Sequence, residues 1–200
     1  MGVEAIGVVA VPGSPRFLPN NHRAPVFSAA KASNPSVLRV LVVADPGELD
    51  LPALQVGNGH QVVQLHGHET VERCQRLRER IDPEIRLWKA LRIRAKEDLE
   101  QCQIYAGVVD ALLLDAWMPG MLGGTGRSIP LEWLSDWSSA LPWWLAGGIT
   151  PENVSDVLKG AQPDGVDVSS GVEDRPGWKN LERVERLLTE AQINRPPNRD

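Results

Sequence analysis

Two hundred residues, 42% of them hydrophobic and 24% charged, suit one ordinary globular domain that can bury a full core and is too apolar for disorder. The formal charge of −5 argues against broad nucleic-acid binding, which needs clustered Lys and Arg. Neither a basic stretch leading into an apolar core nor an apolar run of about 18 residues is present, so no secretory leader or membrane span is expected and a reducing cytoplasm is the expected compartment.

Apolar runs of strand length recur at 5–10, 37–44, 61–67, 86–93, 111–116, 142–148 and 165–171. Between them, 69–81 carries Val71, Cys74, Leu77 and Ile81 at helical spacing. Arg73, Arg76, Arg78 and Arg80 alternate there with Glu72 and Glu79, which reads as a solvated helix face. Thr150-Pro151-Glu152 is a helix-start signal before Val154, Val157 and Leu158, with Thr150 as cap and Pro151 in the first position. Leu181, Val184, Leu187 and Leu188 repeat the pattern in a last helix, and 194–200 is expected to fray.

Strand alternating with helix, without a run of hairpin signals, predicts βαβ units and a parallel sheet. A (β/α)₈ barrel has eight such strands over about 250 residues. Seven strands therefore describe a single α/β barrel-type domain over 1–193 that is one unit short.

Several strand ends stop at small or acidic residues. Asp115 ends the run Leu112–Leu114, where lost hydration suits a general acid, although a cap on the next turn would use the same residue. Gly147-Gly148 and Ser170-Gly171 follow the last two strands, where a barrel often holds phosphate on backbone N–H groups. That pattern points to an enzyme acting on a small phosphorylated molecule. Gly123-Gly124-Thr125-Gly126 can cover a substrate or serve as a linker, and it lacks the lysine and spacing of a nucleotide-binding loop. Arg16, after the first strand, can clamp a carboxylate. His66 is a substrate-binding candidate or a structural histidine. In the last strand Asp167 and Ser169 share one face, opposite Val166 and Val168. The seven tryptophans read as core and rim packing. Two isolated cysteines, Cys74 and Cys102 in helical segments, predict neither disulfide nor metal site.

The ordered series resembles the phosphoribosylanthranilate isomerase family of tryptophan biosynthesis. It runs through Ser-Pro-Arg (14–16), Val-Gln-Leu-His-Gly (63–67), Leu-Leu-Asp (113–115), Gly-Gly-Thr-Gly (123–126), Leu-Ala-Gly-Gly-Ile-Thr-Pro-Glu-Asn-Val (145–154) and Val-Asp-Val-Ser-Ser-Gly-Val-Glu (166–173). The resemblance implies a TIM barrel and an Amadori rearrangement of N-(5′-phosphoribosyl)anthranilate to 1-(2-carboxyphenylamino)-1-deoxyribulose 5-phosphate. Asp115 matches the general acid, and Arg16 matches the residue engaging the anthranilate carboxylate. His66, Gly124 and Asp167 match substrate-binding positions, and Gly147, Gly148, Ser170 and Gly171 match the phosphate cradle. No cofactor or metal is implied. The partner is a small phosphosugar, with no nucleic acid or membrane, on a monomer or homodimer.

One departure stands out. The family opens on a strand reading approximately Lys-Ile-Cys-Gly, whose cysteine is the general base, whereas Met1-Gly2-Val3-Glu4-Ala5 resembles the entry to its second strand. A first βα unit of roughly 20–30 residues is thus expected to be missing, either from a start assigned too late or from a shortened chain. Cys74 and Cys102 do not replace that base. The expectation is little isomerase activity and poor solubility for the 200-residue chain. An inactive barrel that binds a phosphate ligand or serves as a pathway subunit is the alternative function. A second phosphosugar enzyme class, the pentose-phosphate epimerases, needs metal-ligand histidines and acids that the sequence does not place.

Overall fold

The computed structural model describes residues 2–116 and 128–193. It divides into two compact units, each with its own stretch of parallel sheet.

The first unit comprises Val3–Ala90 and Ile104–Ala111. Its strands are β1 (Ala5–Val9), β2 (Leu38–Val43), β3 (Val62–Leu65) and β4 (Arg86–Ile93), whose last three residues pass into the second unit. They pair in chain order and all parallel, with Val8 opposite Leu41, Leu41 opposite Val63 and Val63 opposite Leu87. Val62, Val63 and Leu65 are fully buried, as the apolar residues of a parallel strand covered on both faces are.

Helices α1 (Asn20–Ser33) and α2 (Val71–Arg80) connect these strands. In α2 the expected periodicity holds: Cys74 and Leu77 are buried, and Thr70 caps the helix by accepting the Arg73 amide at 3.3 Å. Its arginines do more than face solvent. Arg73 donates to the Pro46 carbonyl, Arg78 binds Asp110 and the Ile85 carbonyl, and Arg80 reaches Glu48 at 2.9 Å. Helix α1 was not legible in the sequence. It carries Pro25 in its interior and buries only Phe27, so neither propensity nor apolar spacing marks it. Two 3₁₀ segments, Glu48–Leu54 and Lys96–Tyr105, stand where α-helical crossovers would be the default.

The second unit comprises Met1–Gly2, Leu91–Gln103 and Leu112–Asp200. It holds β5 (Ala111–Ala116), β6 (Trp143–Ala146) and β7 (Gly165–Asp167), again parallel and in chain order. Helices α3 (Leu131–Leu134), α4 (Val154–Ala161) and α5 (Leu181–Ile193) follow. Leu112, Leu113, Leu114, Trp143 and Leu145 form its core at 2% exposure or less, each large side chain contributing about 1.5–3 kcal/mol by leaving water.

Helix α4 begins at Val154, later than the Thr150-Pro151 signal. Thr150 instead closes a preceding turn, its Oγ1 accepting the Glu152 amide at 3.2 Å and its carbonyl the Val154 amide at 3.0 Å. Of the four apolar positions read in α5, Leu187 is buried, Val184 and Leu188 are half-buried, and Leu181 is 64% exposed. A hairpin absent from the strand reading, β8 (Glu173–Arg175) with β9 (Trp178–Lys179), precedes α5; it turns at Pro176-Gly177, where Gly177 takes a φ of 82°. The expected frayed tail lies outside the described residues.

Candidate active site at the ends of β5, β6 and β7

The register of the second unit aligns its strand ends. Leu114 is opposite Leu145 and Leu145 opposite Val166; one residue on, Ala146 is opposite Asp167. Continuing β5 by one residue brings Asp115 level with Ala146. Parallel partners point to the same side, so Asp115 and Asp167 share a face two strand spacings apart, about 10 Å. Their environments differ. Asp115 is 3% exposed at the end of a wholly buried strand, and Asp167 is exposed.

Beyond β6 the chain turns through Gly147 and Gly148, at φ of 88° and 63°. That left-handed backbone strains any residue with a Cβ. The turn is held by Asn153, whose side chain donates to the Gly148 carbonyl at 2.8 Å and accepts the Thr150 amide at 2.8 Å. Beyond β7, Ser170–Val172 forms a 3₁₀ turn. Gly171 lies so close to the first turn that a Cβ on it would sit 1.9 Å from the Ile149 carbonyl oxygen. Only glycine lets the two loops meet. Between them opens a cavity of about 270 Å³ lined by Gly148, Thr150, Ser170, Gly171 and Arg183. Hydroxyls, glycine backbone and one guanidinium make a lining suited to an oxyanion.

The structure therefore brings Gly148, Ser170 and Gly171 around one cavity, with Gly147 next in chain and Asp115 and Asp167 at strand ends of the same unit. Arg183 was missed by sequence reasoning, because the strand-end and glycine-turn pattern does not reach α5; its place in the first turn, where the helix dipole disfavours a cation, was the signal available. Gly124 lies outside the described residues.

Arg16 and His66 belong to the first unit. Arg16 is half-buried in the turn after β1, its backbone amide donating to Ser14 Oγ at 3.2 Å. His66 follows β3, with its amide on the Val43 carbonyl at 2.7 Å and its Nδ1 3.2 Å from the Gln64 side-chain nitrogen.

Directly beyond His66 lies a buried ion pair that the sequence did not announce. Lys89 Nζ is 2.8 Å from Glu69 Oε2, and the two side chains are 2% and 0% exposed. The ammonium also meets the carbonyls of Leu65, Gly67 and Ala90 at 2.8 to 3.3 Å. Glu69 in turn accepts the amides of Asp45 and Gly67. Four acceptors face three protons, so this charge is spent on architecture.

The first unit has its own cavity, about 130 Å³, between α1 and β2, lined by Phe27, Leu41, Arg23 and His60 among others. The two thiols are buried, and desolvation pushes Cys74 up to about 11 and Cys102 up to about 12. Neither is a base near neutral pH. No group of three or more His, Cys, Asp or Glu placed to hold a metal occurs among the described residues, and no described helix is long and apolar enough to cross a membrane.

Residues 14–190 match the family model described as N-(5′-phosphoribosyl)anthranilate (PRA) isomerase. The N-(5′-phosphoribosyl)anthranilate isomerase of Thermosynechococcus vestitus is 46% identical over 200 residues, covering 97% of this chain and 83% of that protein. Its counterpart from Synechococcus elongatus is 43% identical over 194 residues, covering 97% and 88%. Among solved structures, phosphoribosyl anthranilate isomerase from Thermotoga maritima superposes with a TM-score of 0.82 at 28% identity, over 96% of this chain and 89% of that one. A phosphoribosyl anthranilate isomerase in complex with reduced 1-(o-carboxyphenylamino)-1-deoxyribulose 5-phosphate superposes at 0.75, with 28% identity over 96% and 89% of the two chains. The α/β fold is thus of TIM-barrel type, and the chain belongs to the N-(5′-phosphoribosyl)anthranilate isomerase family, isomerases of tryptophan biosynthesis.

Proposed function

We propose that this chain binds N-(5′-phosphoribosyl)anthranilate and directs its Amadori rearrangement, with Asp115 as the general acid. The rearrangement is internal to the substrate. A proton delivered to the ring oxygen lets the C1–O bond break and opens the sugar, leaving a C1=N iminium. Transfer of the C2 proton to a base then gives an enolamine, which takes a proton at C1 and gives up the C2 hydroxyl proton to become the 1-amino-1-deoxyketose. Asp115, at the buried end of β5, supplies the first proton. The phosphate sits against Gly147, Gly148, Ser170 and Gly171. Arg16 takes the anthranilate carboxylate, and His66, Gly124 and Asp167 contribute further substrate contacts.

The observation that supports this most is the pairing, within one unit, of a 3% exposed carboxylate at a strand end with a glycine-lined cavity. Barrel enzymes carry their chemistry at such strand ends and bind phosphate in the last two loops. The test is titration with reduced 1-(o-carboxyphenylamino)-1-deoxyribulose 5-phosphate together with a turnover assay. Saturable binding that inorganic phosphate competes away is expected, and no binding at millimolar analogue would refute the reading.

A second reading has its own support. Both thiols are buried and titrate far above neutrality, so neither removes the C2 proton. Analogue binding without turnover would favour a phosphate-ligand binder over an active isomerase.

A further inference from the structure

We infer that Arg183 is a specificity-determining residue that supplies the cationic contact to a dianionic phosphate group in the β6–β7 cavity. The inference rests on reading that cavity as the phosphate site and adds a side chain that the glycine-loop pattern does not contain.

Four observations carry it. Among the described residues, Arg183 is the one charged side chain lining the cavity, beside Gly148, Thr150, Ser170 and Gly171. Its guanidinium is tethered on one side, Nη1 donating to the Glu173 carbonyl at 3.3 Å. Among the described residues Nε and Nη2 have no protein partner, so donors remain on a partly fixed fork. The neighbouring cations are already engaged: Lys179 with Glu173 at 3.0 Å and Arg186 with Glu152 at 3.1 Å.

Position on the helix makes the same point. Arg183 lies in the first turn of α5, where its amide donates to Asn180 Oδ1 at 3.0 Å. The helix macrodipole disfavours a cation there and favours an anion. Helix stability does not account for an arginine at this place. A bound dianion does, because it pairs with the donors of the guanidinium that face the cavity. Glycine backbone and hydroxyls alone would accept neutral or monoanionic groups almost as well. The added charge selects a phosphate monoester.

The test uses the full chain and inorganic phosphate, with Kd read by calorimetry or ³¹P NMR, beside R183Q, R183E and the control R186Q. A charge-assisted contact on an exposed group predicts about a tenfold weaker phosphate Kd in R183Q, a larger loss in R183E and no change in R186Q. R183E is informative because an acid in the first turn stabilises α5. It should therefore melt no lower than the unsubstituted chain while losing phosphate, a combination that a purely structural arginine would not produce. In a turnover assay, R183Q should raise KM by about tenfold and leave kcat within about twofold. Unchanged phosphate affinity in R183Q, or an equal loss in R186Q, overturns the inference. Should R183Q fail to fold, a folded R183E with unsubstituted-chain affinity overturns it as well. If the unsubstituted chain binds no phosphate, the reading of the cavity falls and takes this inference with it. If it binds phosphate but does not isomerise, the proposed function fails while the role of Arg183 stands.

Discussion

The two units treat polar groups at their strand ends in opposite ways. After β3, the turn of the first unit is closed from within by Lys89 and Glu69, whose ammonium has more acceptors than protons. After β6 and β7, the second unit leaves glycine backbone, Thr150, Ser170 and part of the Arg183 guanidinium facing a cavity. Both follow from the cost of burying charge. A fully desolvated ion must be saturated by its own protein, and such a group has nothing left for a ligand. A binding site keeps donors unspent and near solvent, where a ligand repays the contact. A polar residue at the end of an apolar strand is therefore ambiguous in sequence until its partners are counted.

The sharpest way to break this contrast is D115N. If Asp115 acts as proposed, kcat falls about 10²–10⁴-fold relative to the unsubstituted chain, while calorimetric binding of the reduced product analogue persists. An Asp115 that served architecture as Lys89 does would instead lower the unfolding midpoint and leave turnover per folded molecule unchanged.

The converse change is K89M, which strands a buried carboxylate and should cost about 3 kcal/mol in urea unfolding, near the lower end for a broken buried pair, because Glu69 keeps two backbone donors. Adding E69Q removes the stranded charge, so the double variant should recover part of the loss. An additive loss would mean that the pair does not couple.

G171A tests the contact between the two glycine loops. Its Cβ would meet the Ile149 carbonyl at 1.9 Å, so a destabilisation of about 1–3 kcal/mol should accompany weaker phosphate binding. A variant with normal affinity would show that the cradle does not depend on this approach.

The smallest effect concerns the other cavity. His60 is 4% exposed, its Nε2 lies 3.2 Å from the Leu54 carbonyl, and burial lowers its pKa below 6.5. The unfolded chain then binds more protons than the folded one once pH drops below about 6.5, so stability is present above that value and lost as pH falls toward the folded pKa. Urea midpoints taken near pH 7.5 and 5.5 should decline more for the unsubstituted chain than for H60Q. Equal declines would mean that the histidine is not held neutral.

Much of this was local and therefore legible. The seven parallel strands lie within the apolar runs because a parallel strand buried on both faces is predominantly apolar, and 86–93 and 111–116 coincide with β4 and β5 to the residue. The run at 142–148 shortens to Trp143–Ala146, since Gly147 and Gly148 turn at positive φ. Asp115 and the two glycine turns stand out because each breaks an apolar pattern at a strand end.

What escaped the sequence depended on distant partners. Helix α1 forms despite Pro25 because Phe27 finds a buried place beneath it. Lys89 looked like one of three cations, with Arg86 and Arg92, in a mainly apolar run, and only the fold brings Glu69, Leu65 and Gly67 to its ammonium. Arg183 resembled any solvated helix cation until the loops after β6 and β7 enclosed a cavity beside it. Strand identity and the place of Asp115 at a strand end were determined by the sequence itself, because hydrophobic pattern acts between near neighbours. Which charges are spent and which remain for a ligand was decided by tertiary structure alone, because saturation depends on groups far apart in the chain.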